Sequence, residues 1–223
     1  MMALDLEDIV QKTIFFKHSW EPNLSRFLKK SLRDSDVFYD IGSNVGYYSL
    51  LAAKQDCTVV AIDPDPANIA VLKENIALNN FDKIRFKQIG LGEKNEDRLF
   101  FRSKRSNNGQ SGFISRNPIA SFKVNIYQLD NLIEHHNFPL PTVIKIDTEG
   151  WEEKVLIGAK KLLEHAPPRL IIFESEMDAK ALNDKESIVN LLGEYHYAII
   201  DTHLDDYGTN YVAQYLPSDE SSK

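Results

Sequence analysis

At 223 residues, 43% hydrophobic and 26% charged, the chain has an ordinary globular composition and enough length for one sizeable α/β core. Its formal net charge of −7 argues against a general nucleic-acid binder, which needs a basic face to neutralise phosphates. The only cysteine, Cys57, excludes an internal disulfide and a thiolate-rich zinc site, and fits a reducing, cytoplasmic setting.

In chain order, Met1–Gln11 carries Asp5, Glu7 and Asp8 where a signal peptide would have basic and then apolar residues. No apolar run approaches the roughly 20 residues of a membrane-spanning helix. Residues 4–12 read as a helix, and 21–32 place Leu24, Phe27, Leu28 and Leu32 on one helical face. Residues 1–35 are therefore expected to form a helical cover over the sheet edge or a cofactor cleft. Asp36–Tyr48 follows as an apolar strand, a tight turn with two glycines and the start of a helix through Leu50, Leu51, Ala52 and Ala53. Residues 58–64 form a near-continuous apolar run, typical of a strand buried on both faces. Asp65 is a good N-cap with Pro66 at the first helical position, and Ile69, Leu72 and Ile76 make the buried stripe behind them.

A third strand is expected over 84–89, followed by Gly90-Leu91-Gly92. About fifty residues separate it from the next strand of the sheet, too many for a simple connection. Leu99-Phe100-Phe101 and the alternating Phe122, Val124 and Ile126 predict an inserted strand pair within 93–141, on the substrate side. Its tip, 107–112, has loop composition. A short helix is expected over 129–135, a fourth strand over 142–146, and one helix from Trp151 through Leu163. A fifth strand over 169–173 ends in Glu174-Ser175-Glu176. A helix over 187–194 and an antiparallel pair over 195–201 and 210–216 close the chain. Alternating strands and helices with a terminal hairpin imply a single domain over 1–223 built on a doubly wound α/β sheet with one antiparallel strand.

The turn Asp40-Ile41-Gly42-Ser43-Asn44-Val45-Gly46 leaves backbone N–H groups free to face a ligand. Gly42 and Gly46 allow positive φ or close backbone approach. The spacing is G-x-N-x-G with an acid two residues earlier, not the dinucleotide G-x-G-x-x-G. Asp40 beside the turn would repel a pyrophosphate and attract a cationic ligand. S-adenosylmethionine, with a sulfonium and an ammonium and no phosphate, is such a ligand. A ligand-free strand-to-helix connection is the plainer alternative. Asp63 falls roughly 20 residues after the turn, where an acid at a strand end can bind ribose hydroxyls; a turn or helix-capping aspartate is the plainer alternative. Lys145 interrupts a strand that should be apolar, and a buried charge is tolerated there only when paired. Lys145, Asp147 and Glu149 share the two-residue period of one strand face. They read either as a polar patch for chemistry or as the anchor of a structural ion pair.

These motifs, with Asn75, Asn79-Asn80 and the segment Lys145-Ile146-Asp147-Thr148-Glu149-Gly150-Trp151-Glu152, resemble the FkbM family of S-adenosylmethionine-dependent methyltransferases. The likeness runs from about Glu21 to beyond Glu176. It implies a class I, Rossmann-like, seven-stranded methyltransferase fold, and usually O-methylation of a sugar, glycan or small metabolite. By that likeness, Asp40, Gly42, Ser43, Asn44 and Gly46 would hold the methionine part. Asp63, with Pro64 beside it, would bind ribose, and Gln88, Gly90 and Leu91 would border adenine. The family commonly has Glu where Asp63 stands. Asp147 is the candidate general base, with Lys145 adjusting its charge or contacting the leaving oxyanion and Glu149 orienting the acceptor. Some catechol-type methyltransferases place Mg²⁺ beside acids at this strand end, but Asp147 and Glu149 are too few ligands to assert one. N-methylation of an amine or nucleic acid is the second reading, although its usual Asn/Asp-Pro-Pro-aromatic motif is replaced here by Asp147-Thr148-Glu149-Gly150. A non-catalytic cofactor-binding domain is the third. The six histidines are scattered, and only His18 and His203 lie where loops meet the expected cleft.

Overall fold

The computed structural model describes residues 1–114, 118–175, 179–201 and 210–217. Its main sheet has seven strands in the order β3-β2-β1-β7-β8-β10-β9. In chain order these are β1 (Val37–Ile41), β2 (Thr58–Ile62), β3 (Ile84–Lys87), β7 (Val143–Ile146), β8 (Leu170–Glu174), β9 (Tyr197–Asp201) and β10 (Asn210–Tyr215). β10 runs antiparallel to both its neighbours, and all other pairings in this sheet are parallel. This is the doubly wound sheet with one reversed strand that the sequence predicts. A second, smaller sheet joins β4 (Gly90–Leu91), β6 (Ala120–Tyr127) and β5 (Glu96–Arg102).

The alternation along each strand divides the core in two. On one face Phe38, Val59, Ala61, Val143 and Ile172 pack against α2 (Pro22–Ser31), α3 (Tyr47–Ala53) and α4 (Pro66–Asn79). On the other, Tyr39, Ile41, Val60, Ile144, Ile146 and Phe173 pack against the small sheet and α5 (Leu129–His136), α6 (Glu152–Ile157), α7 (Lys160–His165) and α8 (Ala179–Glu194). The strands are apolar on both sides because both sides are covered.

Several boundaries differ from expectation, each for a local reason. The first helix is α1 (Ile9–Lys17), not 4–12, because the Asp8 carboxylate caps it by accepting from the Gln11 N–H at 2.9 Å. The third strand stops at Lys87, and Gly90–Leu91 leaves the main sheet to pair with Ile126 and Tyr127. The helix expected from 151 to 163 is two helices. At their junction a side chain on Gly158 would lie 2.0 Å from the Gly92 carbonyl oxygen, and the Gly158 carbonyl accepts instead from the Asp130 N–H at 3.1 Å. α8 begins at Ala179, a full two turns before the 187 expected. The predicted loop carrying His203, and residues 218–223, lie outside the described residues.

Candidate active site

Strand order reverses between β1 and β7, since β2 lies on one side of β1 and β7 on the other. Open α/β sheets bind ligands outside the carboxyl ends of strands at such a switch point. A cleft of about 1050 Å³, counted to its open mouth, occupies that place. Its floor is the β1–α3 turn, one side the β2–α4 turn, and the other the exits of β7 and β8. Val10 and Ile14 of α1, Trp20 and Glu21 before α2, and Gly109, Ser111 and Phe113 beyond β5 complete the wall.

The glycine turn is built for close approach. Gly42 has φ +81, and a Cβ there would sit 1.7 Å from the Asp147 carbonyl oxygen. Gly46 has φ +89, and its Cβ would meet Leu72 at 2.3 Å. Three buried side-chain atoms have no hydrogen-bond partner among the described residues: Asp40 Oδ1, Ser43 Oγ and Asn44 Oδ1. All three belong to this turn, and Ser43 and Asn44 face the cleft. Unpartnered buried polar atoms are costly, and the two that face the cleft, on Ser43 and Asn44, fit a ligand that completes them.

Asp63 joins the two turns. Its Oδ2 accepts from the Asn44 N–H at 2.8 Å, and its Oδ1 from the Asp65 N–H at 2.8 Å and Asn68 Nδ2 at 3.1 Å. Burial pushes its carboxyl up to about 7, against those hydrogen bonds. Oδ1 is filled by its two donors, and Oδ2, with one, keeps room to accept another. Asp65 caps α4 through Ala67 N–H at 2.8 Å and pairs with Arg102 at the end of β5, Nε to Oδ2 2.8 Å and Nη2 to Oδ1 2.5 Å. That fork ties the small sheet to the β2–α4 turn.

Opposite stands a buried charge cluster. Lys145 is 1% exposed, donates to Asp147 Oδ2 at 2.7 Å and lies 4.7 Å from the Tyr48 ring centre. Burial alone would lower its pKa; the carboxylates of Asp147, Asp40 and Glu21 outweigh that and keep it protonated. Burial would likewise raise Asp147, but the Lys145 ammonium and a hydrogen bond with Glu174 hold it below the usual carboxylate range. Glu174 moves the opposite way: burial, the Asp147 charge and the shared hydrogen bond push it well above that range. Carboxylate oxygens of Asp147, Glu149 and Glu174 lie within 4.8 Å of one another, the one grouping among the described residues that could ligate a metal ion. Glu152 secures the loop from below, accepting from Thr148 N–H at 2.7 Å and Thr148 Oγ1 at 2.9 Å.

Of the residues singled out in the sequence, Gly42, Ser43, Asn44, Asp63, Pro64, Gly90, Leu91, Lys145, Asp147 and Glu149 all line the cleft. Asp40 stands one layer behind, paired in register with Lys145 and accepting from Ser49 Oγ at 2.6 Å. Gly46 also lies behind the wall. Gln88 is exposed, and its neighbour Ile89 takes the wall position. His18 is exposed and outside the wall. Glu21 escapes sequence reasoning altogether. It is an α2 N-cap residue whose side chain makes no cap bond; instead it accepts from the Tyr48 hydroxyl and from Asn210 Nδ2, the latter at 2.8 Å. Its partner Asn210 is 189 residues away, so no local pattern marks it. The proline after it is the only local signal, and that signals a helix start.

The sequence profile of the methyltransferase FkbM domain matches residues 40–210. A hexuronic acid methyltransferase, AglP of Haloferax volcanii, is 27% identical over 162 residues, 72% of this chain and 65% of that protein. The chain thus spans less than two thirds of that relative's length. A tRNA (guanine(37)-N(1))-methyltransferase of Drosophila melanogaster is 38% identical over 68 residues, 29% of this chain and 15% of that one. In fold, the chain is similar to the O-methyltransferase from Bacillus cereus, solved in complex with SAH. The TM-score is 0.55 at 14% identity, covering 88% of this chain and 81% of that one. The profile covers most of the chain, including the glycine turn, Asp63 and the Lys145–Glu152 segment, and the chain therefore belongs to the FkbM family of S-adenosylmethionine-dependent methyltransferases.

Proposed function

We propose that this methyltransferase acts on a hydroxyl oxygen of a sugar, a glycan or another small metabolite. The observation that carries the reading is Asp147, held ionised between Lys145 and Glu174 across the cleft from the glycine turn. S-adenosylmethionine, when bound, supplies a methyl group activated by its positive sulfur. Ser43 and Asn44 hold its methionine part through the polar atoms left unpartnered, with Asp40 and Gly46 supporting the turn from behind. Asp63, flanked by Pro64, takes the ribose hydroxyls, and Ile89, Gly90 and Leu91 border the base.

Bound S-adenosylmethionine would supply the methyl group to the acceptor oxygen, and Asp147 would take the hydroxyl proton released in that transfer. A low pKa keeps Asp147 ionised but makes it a weak base, so placement contributes more than proton affinity. Glu149 orients the acceptor. The chain's similarity to a hexuronic acid methyltransferase supports a sugar acceptor. The test is incubation with methyl-labelled S-adenosylmethionine and fractionated metabolite and glycan extracts, followed by mild alkali. Label is expected in an alkali-stable methyl ether. Release as methanol would indicate carboxyl esters, and label on nitrogen would indicate amines; either removes this reading.

A further inference from the structure

Asn75 and Asn79, singled out in the sequence, lie on α4 behind the cleft wall. Asn75 is fully buried, and its amide is shared between two distant segments. Nδ2 donates to the Val45 carbonyl oxygen of the glycine turn at 2.9 Å, and Oδ1 accepts from the Ala3 N–H at 2.6 Å. Asn79 reinforces the second contact: its Nδ2 donates to the Met1 and Asn75 carbonyl oxygens, each at 2.7 Å.

The segment held there leads directly into the cleft. From Ala3 the chain passes Asp5, whose N–H donates to Gln11 Oε1 at 2.8 Å, and enters α1, whose Val10 and Ile14 line the wall. α1 also lies against the turn Arg105–Gln110 beyond β5. Residues 3–17 thus cross the cleft from α4 to the small-sheet side. They are lightly held: within α1 only Gln11 and Ile14 are buried, while Ile9, Phe15 and Phe16 are exposed. An element with so little burial opens at low cost. At its far end His18 and Glu21 both have positive φ, 55 and 40, a break about which α1 can turn. Beyond that break, Glu21 is tied to Tyr48 and Asn210.

We infer that Asn75 is a positioning residue that latches residues 3–17 over the cofactor with the same amide that supports the glycine turn, and that this cover swings away from α4 to let S-adenosylmethionine in and SAH out. The inference rests on the cofactor placement proposed above. Neither Ala3 nor Asn75 lines the cleft, so the latch acts on loaded and free enzyme alike. Weakening it opens both, which speeds entry and exit together and leaves affinity nearly unchanged. A contact of structural value only would lower Tm and move neither rate.

Association and dissociation of tritium-labelled SAH are followed on the full chain by rapid filtration, with unlabelled SAH as the chase. Ala3→Pro removes the N–H that reaches Asn75 and leaves the turn and the wall intact. Both rates are expected to rise about three- to tenfold, the worth of one hydrogen bond, with Kd changed less than about twofold. Asn75→Ala is expected to raise both rates as much and, because it also frees the Val45 carbonyl, to weaken Kd. Adding Ala3→Pro to Asn75→Ala is expected to change the rates no further. Unchanged rates in Ala3→Pro overturn the inference, as does faster exit with unchanged entry. A full further acceleration in the double variant removes Asn75 as the latch. If Asn75→Ala does not fold, Ala3→Pro decides alone. Asp63→Asn tests the reading beneath: SAH affinity is expected to fall, and an unchanged affinity ends the cofactor placement and the inference with it.

Discussion

Asp63 shows how one carboxyl can serve structure and ligand together. Its folded pKa of about 7 lies above the ordinary 3.8, so its contribution to stability is complete below about pH 4 and is lost as pH rises through 7. Ligand binding runs the other way, because the ionised form leaves Oδ2 able to accept from a ribose hydroxyl beside its bond from Asn44. SAH affinity is expected to strengthen between pH 6 and 8, and Asp63→Asn to weaken binding and flatten that profile. Calorimetry across the range checks it; a pH-independent wild type would leave Asp63 as a turn residue only. Asp147→Asn keeps the shape and cannot take a proton. Turnover is expected to fall about 10²–10⁴-fold with SAH affinity kept. Near-normal kcat on a neutral hydroxyl acceptor would pass the role of base to Glu149 or Glu174.

At the level of elements, what could be read from the chain is what neighbours in sequence decide. β1, β2 and β7 were legible because strands covered on both faces are continuous apolar runs, and α4 because Asp65 and Pro66 mark its start. The α6–α7 break was not, since the cause is the Gly92 carbonyl against Gly158, in a segment far away in sequence. Nor was the departure of Gly90–Leu91 from the main sheet, which needs β6 as its partner. Gly158→Ala is expected to cost about 1–3 kcal/mol through overpacking and to lower Tm by several degrees. A melt matching wild type would show that the two helices separate for another reason. The site divides along the same line: the glycine turn and the Lys145–Glu149 segment each show in a short stretch, whereas Glu21 becomes part of the wall only through Tyr48 and Asn210.

Across the whole molecule, the two halves of the sheet meet between β1 and β7, and the bonds across that seam join residues 105 to 133 apart in sequence. Thr142 Oγ1 accepts from the Val37 N–H at 3.0 Å and donates to Asp36 at 2.7 Å. Arg169 forks onto the same Asp36, Nε to Oδ1 at 3.1 Å and Nη2 to Oδ2 at 2.5 Å. Pairings of such separation are slow to form, because loop closure precedes their reward. The acid wall is therefore expected to take shape late, once β7 and β8 dock beside β1. A molecule that needs both halves finds few takers among the partly folded chains. In stopped-flow denaturant jumps, saturating SAH is expected to slow unfolding while leaving the refolding limb almost unchanged. Acceleration of refolding instead would mean that the seam closes before the rate-limiting barrier. During synthesis, the same geometry is expected to withhold activity until β8 has left the ribosome.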